Sequence, residues 1–372
     1  MKIPNQDPAN LHTAISVIEN VSVRPVMVPL DPPLRTASGV ATVASLALVD
    51  IATAHGVVGH AYVSAYTPVL LPALVQLLKD LSNLLPGQSL APKTVMRELR
   101  SRFVLPGTPG LLDMALAALD MALWDAHARV VGRSLVRLLG GEPRPVKSYA
   151  SFGMDGRERA VDAALKSVDE GFRAIKIKIG YPTLKEDLDV VRSVRAAIGT
   201  EIDLMVDYNQ VLSVPEAVRR GHALDDEGLA WIEEPTLCDD LDGHAQIAAA
   251  LKTPLQLGEN SWGPRGVQRM IASRACDLAM PDLMKVGGVT GWLDAVSICE
   301  ANGMPVSNHF YQEMSAHLLA LTPAMHYMEY FGLADAVLAS PAIVVDGCVT
   351  PSDEPGGGVT WDEAAVERYT PH

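Results

Sequence analysis

Ile202-Asp-Leu-Met-Val-Asp207, Leu229-Ala-Trp-Ile-Glu233 and Leu255-Gln-Leu-Gly-Glu259 are three short apolar runs, each ending in a carboxylate. Asp207 to Glu233 is 26 residues, and Glu233 to Glu259 is again 26. One strand, a loop and a returning helix consume about that much chain. The spacing therefore predicts three neighbouring parallel strands with their acids at one end, the end where α/β barrels keep their chemistry. Three convergent carboxylates suit a hard divalent cation such as Mg²⁺.

Outward from these runs the same rhythm repeats. Candidate strands lie near residues 146–152, 174–179, 202–207, 229–233, 255–259, 277–281, 304–308 and 325–329, and the stretch 186–197 carries a clean helical period. Eight strands alternating with helices predict an α/β protein with a (β/α)8-type, TIM-like barrel over residues 144–343. Residues 1–143 read differently, as an α+β domain: strands alternate over 45–61 around His55-Gly56, and apolar helices follow at 69–78 and 111–128. The tail, residues 344–372, breaks the barrel rhythm at Gly356-Gly-Gly358. It is expected to return to the first domain, with a short strand at 359–361.

Composition narrows the function. A chain of 372 residues is long enough for a barrel and an added domain, and its 48% hydrophobic content is normal for a globular protein. The net charge of −14 argues against nucleic acid and anionic membranes as partners. Cys238, Cys276, Cys299 and Cys348 are scattered, which points to neither a disulfide framework nor a zinc site and fits a reducing, cytoplasmic setting. Residues 1–10 lack the basic-then-apolar pattern of a leader, and no run approaches a membrane span.

Ile175-Lys-Ile-Lys-Ile179 puts three isoleucines on one face of a strand and Lys176 and Lys178 on the other. In a barrel the isoleucines meet the outer helices and the lysines point inward, where carboxylates or a bound anion must answer them. A solvent-facing edge strand is the alternative. Asp282 and His309 end the sixth and seventh candidate strands, close enough for the acid to hold the imidazole and raise its basicity. Taken alone, His309 would read as structural, as His55, His60, His244, His317 and His326 do. Glu329 closes the eighth strand.

Together Lys176-Ile-Lys178, the Asp207/Glu233/Glu259 set, Asp282 with His309, and Glu329 resemble the enolase superfamily and, within it, the mandelate racemase subgroup. Further stretches carry the likeness: Ile179-Gly-Tyr-Pro182, Met205-Val-Asp-Tyr-Asn-Gln210, Trp231-Ile-Glu-Glu-Pro-Thr-Leu237, Gly287-Gly-Val-Thr-Gly-Trp292 and Gln312-Glu-Met-Ser-Ala-His-Leu-Leu319. Gly56-Val-Val-Gly-His60 and Ala65-Tyr-Thr-Pro68 extend it into the first domain, so it covers nearly the whole chain.

The resemblance implies a first domain that caps the barrel, and one Mg²⁺ per subunit, with Mn²⁺ a possible substitute, on Asp207, Glu233 and Glu259. The cation would chelate the carboxylate and hydroxyl of a 2-hydroxy acid. The proton α to a carboxylate is very weakly acidic, and its removal leaves an enediolate whose charge the site must stabilise. Lys178 would be the base on one face of the α-carbon, and His309, held by Asp282, the base on the other. Lys176 would bind the substrate carboxylate and lower the pKa of Lys178 by like-charge repulsion. Glu329 would be protonated and donate to the enediolate, with Asn209 and Ser151 as accessory contacts.

The lid, residues 30–41, is where the likeness thins. With Leu34 and Tyr66, the family pattern places substrate-facing residues at Ser38, Ala41, Ser64 and Phe310. Mandelate racemases carry valines at the first two, phenylalanine at the third and leucine at the fourth. Serine and alanine are expected to loosen the grip on a phenyl ring. Arg35 is a candidate for a second carboxylate or sugar hydroxyls. The reading is a racemase or epimerase of a 2-hydroxy acid, mandelate or an aryl analogue first. The alternatives are an acid-sugar dehydratase using the same site, with His309 acting as acid, and a non-catalytic metal-binding homologue. A muconate-type cycloisomerase is disfavoured by Asp282, where that group has lysine. A barrel metallohydrolase would favour histidine ligands that the third to fifth strands lack. By analogy the chain is expected to form a symmetric homo-oligomer.

Overall fold

The computed structural model describes residues 16–371, so the reading of residues 1–10 as free of a leader lies outside the described residues. The first domain opens with an antiparallel sheet, β1 (Ile18–Thr36), β2 (Gly39–Thr53) and β3 (Val58–Ser64), in that spatial order. The alternation over 45–61 belongs to β2 and β3. β1 was not legible: Pro25, Pro29, Pro32 and Pro33 interrupt its pattern, which an edge strand tolerates because one side of its ladder is unpaired. The lid is the far end of this ribbon, where Leu34 pairs with Ala41 and Arg35 with Val40 beyond a register shift.

Helices α1 (Leu71–Ser82), α2 (Pro92–Ser101), α3 (Leu111–Val131) and α4 (Leu135–Leu138) follow. α3 is buried on almost every side, because β3 packs on it from one direction and barrel helices from another. At Gly59 a Cβ would come within 2.3 Å of the Ala126 backbone nitrogen, so glycine alone lets the strand and helix approach this closely.

The barrel strands are β4 (Val146–Ser151), β5 (Ala174–Lys178), β6 (Asp203–Asp207), β7 (Leu229–Glu233), β8 (Leu255–Leu257) and β9 (Leu278–Ala279), parallel and adjacent in order. Between them run α5 (Arg157–Asp169), α6 (Leu184–Ile198), α7 (Val214–Leu224), α8 (Leu241–Ala250) and α9 (Gly263–Ala272). After β9 come α10 (Leu283–Val286) and α11 (Gly288–Ala301). The seventh position is reduced to single bridges, Val306 to Ala279 on one side and to Met325 on the other. α12 (Gln312–Ala320) then leads to β10 (Met328–Tyr330), which pairs with β4 and closes the ring. Directly after β10 comes a 3-10 turn at Asp335–Val337 where a barrel helix would stand.

β5 is buried on both faces, its isoleucines in the core shared with the outer helices and its lysines inside the barrel. Tyr149, Met205, Trp231 and Met280 fill the barrel interior as a separate cluster, and the Lys176 ammonium stands 5.2 Å from the Tyr149 ring.

The tail divides its contacts between the barrel and the first domain. β11 (Val344–Val345) and β12 (Cys348–Val349) form a hairpin that adds to β4 through Val349 and Val146, extending the barrel sheet. Only afterwards does the chain reach the cap, where Gly357 N–H donates to Asp125 at 2.5 Å and the Trp361 indole to Asp50 at 2.6 Å. Residues 359–361 form no strand, only one bridge from Trp361 to Leu338. α13 (Glu363–Tyr369) ends the described chain. All four cysteines are free thiols, and among the described residues no helix is long and apolar enough to cross a membrane.

Candidate active site

Register places the chemistry. Lys178 is the Cα partner of Asp207, Asp207 of Glu233, and Glu233 of Gln256. Equal spacing in sequence is thus not equal depth in the barrel, since Glu259 lies three residues past Gln256, beyond the end of β8. Gly258 makes the turn at φ +132°, and a Cβ there would meet the Met280 backbone nitrogen at 3.0 Å.

The acids are each taken up by a nearby donor. Lys178 Nζ donates to Asp207 Oδ2 at 2.5 Å, and Asn209 gives that carboxylate its backbone N–H at 2.7 Å and its side-chain amide at 2.9 Å. Lys176 Nζ bridges Glu233 at 2.7 Å and Glu329 at 2.9 Å. Glu259 lies 3.3 Å from His309 Nε2 and accepts from Asn260 Nδ2 at 3.1 Å. Among the described residues no group of three or more His, Cys, Asp or Glu side chains is drawn together, since each acid turns to its own donor. Buried carboxylates take the nearest cation because an uncompensated charge there is costly.

His309 Nδ1 sits 2.6 Å from Asp282 Oδ2, which fixes the Nδ1–H form and leaves Nε2 for the cavity. Burial pushes the imidazole down, but Glu259 and the Asp282 hydrogen bond win, and its pKa lies above the ordinary value. Asp282 also caps α10, accepting from Met284 N–H at 2.6 Å and Lys285 N–H at 3.1 Å, so its carboxylate cannot swing away from the ring.

Burial and neighbouring charges pull against each other at Lys178 and at Glu329. Burial and the neighbouring Lys176 do press the Lys178 pKa downward, but the Asp207 contact outweighs them and holds it above the usual lysine value. Glu329, expected to be protonated, is pushed by burial toward its neutral form, yet the Lys176 and His309 charges bring its pKa down to about 2. Its Oε2 accepts from the Phe310 backbone N–H at 3.3 Å.

A cavity of about 540 Å³ lies above these groups, bordered by Lys178, Glu259, His309 and Glu329, with Asn209 and Ser151 at its edge. Lys176, Asp207, Glu233 and Asp282 stand behind it, fully buried. Of the lid candidates, Leu34, Ser38, Tyr66 and Phe310 reach the cavity. Ser38 Oγ donates to the Asn209 carbonyl at 2.9 Å, latching the ribbon tip to the barrel. Ala41, the cross-strand partner of Leu34, is not among the cavity residues. Ser64 is buried beside it and occupied: its Oγ accepts from Tyr66 N–H at 3.1 Å, and its own N–H donates to the Tyr311 hydroxyl at 3.1 Å. Arg35 is drawn out of the cavity toward Asp155, 3.6 Å away.

What lines the upper cavity instead is apolar: Leu70, Leu111, Met114, Trp262 and Phe331. Phe310 lies 3.7 Å from His309 between ring centroids, tilted by 31°, and 5.3 Å from Phe331. Sequence reasoning missed these residues because they come from loops and from the start of α3, where no period marks an orientation. It also missed Asn260 and Lys285, whose nearness to Glu259 and Asp282 in sequence was a usable signal.

The donor set suits a hard divalent cation. Asp207, Glu233 and Glu259 supply only oxygen from three consecutive strands. Glu233 is pushed up to about 7 by burial against the pull of Lys176, with the charges of Asp207 and Glu259 adding to the push, a strain that a cation relieves.

Fold and site together define a capped α/β-barrel enzyme of the enolase superfamily. Residues 18–140 match the mandelate racemase/muconate lactonizing enzyme N-terminal domain, and residues 159–365 match the enolase C-terminal domain-like family. The chain belongs to the mandelate racemase/muconate lactonizing enzyme family. A crystal structure of an enolase from Bradyrhizobium, complexed with magnesium and mandelic acid, is 42% identical, with TM-score 0.93 over 97% of this chain and 100% of that one. L-talarate/galactarate dehydratase of Salmonella typhimurium is 35% identical over 268 residues, 71% of this chain and 67% of its own. L-talarate dehydratase from Polaromonas, complexed with Mg and L-glucarate, is 29% identical with TM-score 0.90, over 96% and 98% of the two chains.

Proposed function

We propose that the protein is a Mg²⁺-dependent racemase of a 2-hydroxy carboxylic acid bearing an aryl or other apolar group. The observation that carries this reading is the meeting, in one cavity, of two groups able to move a proton, Lys178 and His309, under a wall of Leu, Met, Trp and Phe side chains. An apolar wall favours a phenyl ring over a chain of hydroxyls, whose desolvation it would not repay.

Asp207, Glu233 and Glu259 would hold the cation. Bound there, Mg²⁺ would supply positive charge against the anion that forms at the α-carbon and would share the Asp207 carboxylate with which Lys178 otherwise pairs. Lys176, whose pKa lies well above the ordinary value because Glu233 and Glu329 outweigh its burial, stays an ammonium behind the cavity and holds those two carboxylates. Neutral Lys178 takes the α-proton from one face. His309, whose pKa Glu259 and Asp282 hold above the ordinary value, returns a proton to the other. In the reverse direction the two exchange roles.

Dehydration of an acid sugar is the second reading, favoured by the polar edge of the cavity, Thr36, Ser38, Ser151, Asn209 and Gln210, and by the likeness to talarate dehydratases. In that reaction His309 would protonate a departing β-hydroxyl. Incubation with Mg²⁺ in D₂O, using single enantiomers of mandelate and a panel of acid sugars, separates the two by NMR of the α-proton. Exchange with inversion and no loss of water is expected. A 2-keto product would replace racemisation with dehydration, and no exchange from any 2-hydroxy acid would favour the non-catalytic homologue.

A further inference from the structure

Lys285 borders the cavity at 5% exposure and has no role in the chemistry above. Its Nζ donates to Asn260 Oδ1 at 2.5 Å and stands 4.8 Å from the centroid of the Tyr66 ring. Asn260 turns its amide nitrogen the other way, donating to Glu259 Oε1 at 3.1 Å and to both oxygens of Glu234 at 2.9 Å. An ammonium on one side and two carboxylates on the other admit a single orientation of the amide, carbonyl toward the lysine and NH₂ toward the acids.

We propose that Lys285 is a positioning residue that locks the Asn260 amide, so that Asn260 holds Glu259 in place for the divalent cation. This rests on the metal site proposed above. Glu259 needs such support more than its companions, because it lies beyond the end of β8, after a glycine, and has no strand pairing of its own. Asp207 is held by Lys178 and the Asn209 backbone, and Glu233 by Lys176 and the Trp231 indole at 3.2 Å. The lysine is itself well anchored. It ends the turn that Asp282 caps with one oxygen while the other oxygen holds His309. Asp282 to Lys285 thus positions the proton-transfer imidazole on one side and the third metal carboxylate on the other.

The test reads cation affinity without substrate. Mn²⁺ is titrated into metal-free protein and the free ion followed by electron paramagnetic resonance, for wild type, Lys285→Met, Asn260→Leu and the double variant, with thermal melting in chelator to check the fold. Partners that orient a metal ligand contribute about 10- to 100-fold in affinity. Lys285→Met is expected to bind Mn²⁺ more weakly by that factor, Asn260→Leu by a similar one, and the double variant no more weakly than either, because one residue acts through the other. If Lys285→Met does not fold, Lys285→Arg, which keeps the cation, and Asn260→Leu decide: affinity kept by the first and lost by the second supports the proposal.

A folded Lys285→Met protein with wild-type Mn²⁺ affinity overturns it, as does a double variant whose loss is the product of the single losses. Retained Mn²⁺ affinity with weakened substrate binding would make Lys285 a substrate contact instead. Should wild type bind no Mn²⁺, the metal site and this inference fall together. Should the affinities move as expected while no 2-hydroxy acid exchanges its proton, the racemase reading falls alone.

Discussion

Lys178 and His309 border one cavity, yet each is held by a different acid, Asp207 and Asp282, and this separation is what a two-base reaction requires. If they serve opposite faces of the α-carbon, removing one imidazole leaves the other base competent. His309→Asn is expected to abolish α-proton exchange from one enantiomer in D₂O and to keep it for the other, read by NMR. Equal loss from both would break the two-base scheme. Residue identities at this level were legible from strand patterning, because alternation of isoleucine with lysine in β5 fixes which side chains enter the barrel. Their ionisation was not: whether Glu329 carries a proton depends on Lys176 lying 2.9 Å away, and no spacing rule encodes that distance. Nor could sequence reveal that the Ser64 hydroxyl accepts from the Tyr66 backbone N–H.

Elements carry their own titration. On α12, Glu313 is 5% exposed and accepts from the Tyr62 hydroxyl of β3 at 2.9 Å, joining the barrel to the cap. Burial pushes its pKa from 4.5 up to about 7, with Asp335 adding repulsion. Because the folded value is raised, the stabilisation belongs to the protonated form. It is complete below pH 4.5 and is lost as pH rises through about 7. Glu313→Gln, which cannot ionise, should therefore match wild type near pH 4.5 and become more stable above pH 7, by on the order of 3 kcal/mol. Denaturant unfolding of both proteins at the two pH values measures this, and a difference independent of pH would refute it. Element reading from sequence succeeded where one face is buried and failed where it is not. The barrel strands, enclosed on both faces, announce themselves as apolar runs, whereas β1, an edge strand broken by four prolines, does not. The seventh strand was read at 304–308, but its pairing shrinks to bridges at Val306, a difference of hydrogen bonding that leaves no mark on residue type.

At the scale of the whole molecule, the cap and the barrel meet along α3, and the junction has little slack. Asp120 on α3 accepts from the Thr290 backbone N–H at 2.9 Å, and the Trp124 indole donates to the Thr290 hydroxyl at 2.9 Å. Gly288, which begins α11, has φ +73°, and a Cβ there would lie 2.4 Å from Asp120 Oδ1. Gly288→Ala must strain the backbone or displace α3, so a loss of roughly 2–4 kcal/mol is expected, seen as a lower Tm. An unchanged Tm would mean that the junction is softer than it looks. The proposed cation site lies on the barrel. Its three carboxylates come from β6, β7 and the chain just beyond β8, so the site exists only when the barrel is closed. A ligand that binds the folded state alone stabilises it by about 2.7 kcal/mol at a hundredfold excess over its Kd. Mg²⁺ should therefore raise the Tm of metal-free protein in a concentration-dependent way, and chelator should reverse the rise. Glu259→Gln removes one charged donor and should flatten that dependence while folding normally in chelator. If the variant gains as much stability from Mg²⁺ as wild type, Glu259 is not a ligand, and the cation is held elsewhere.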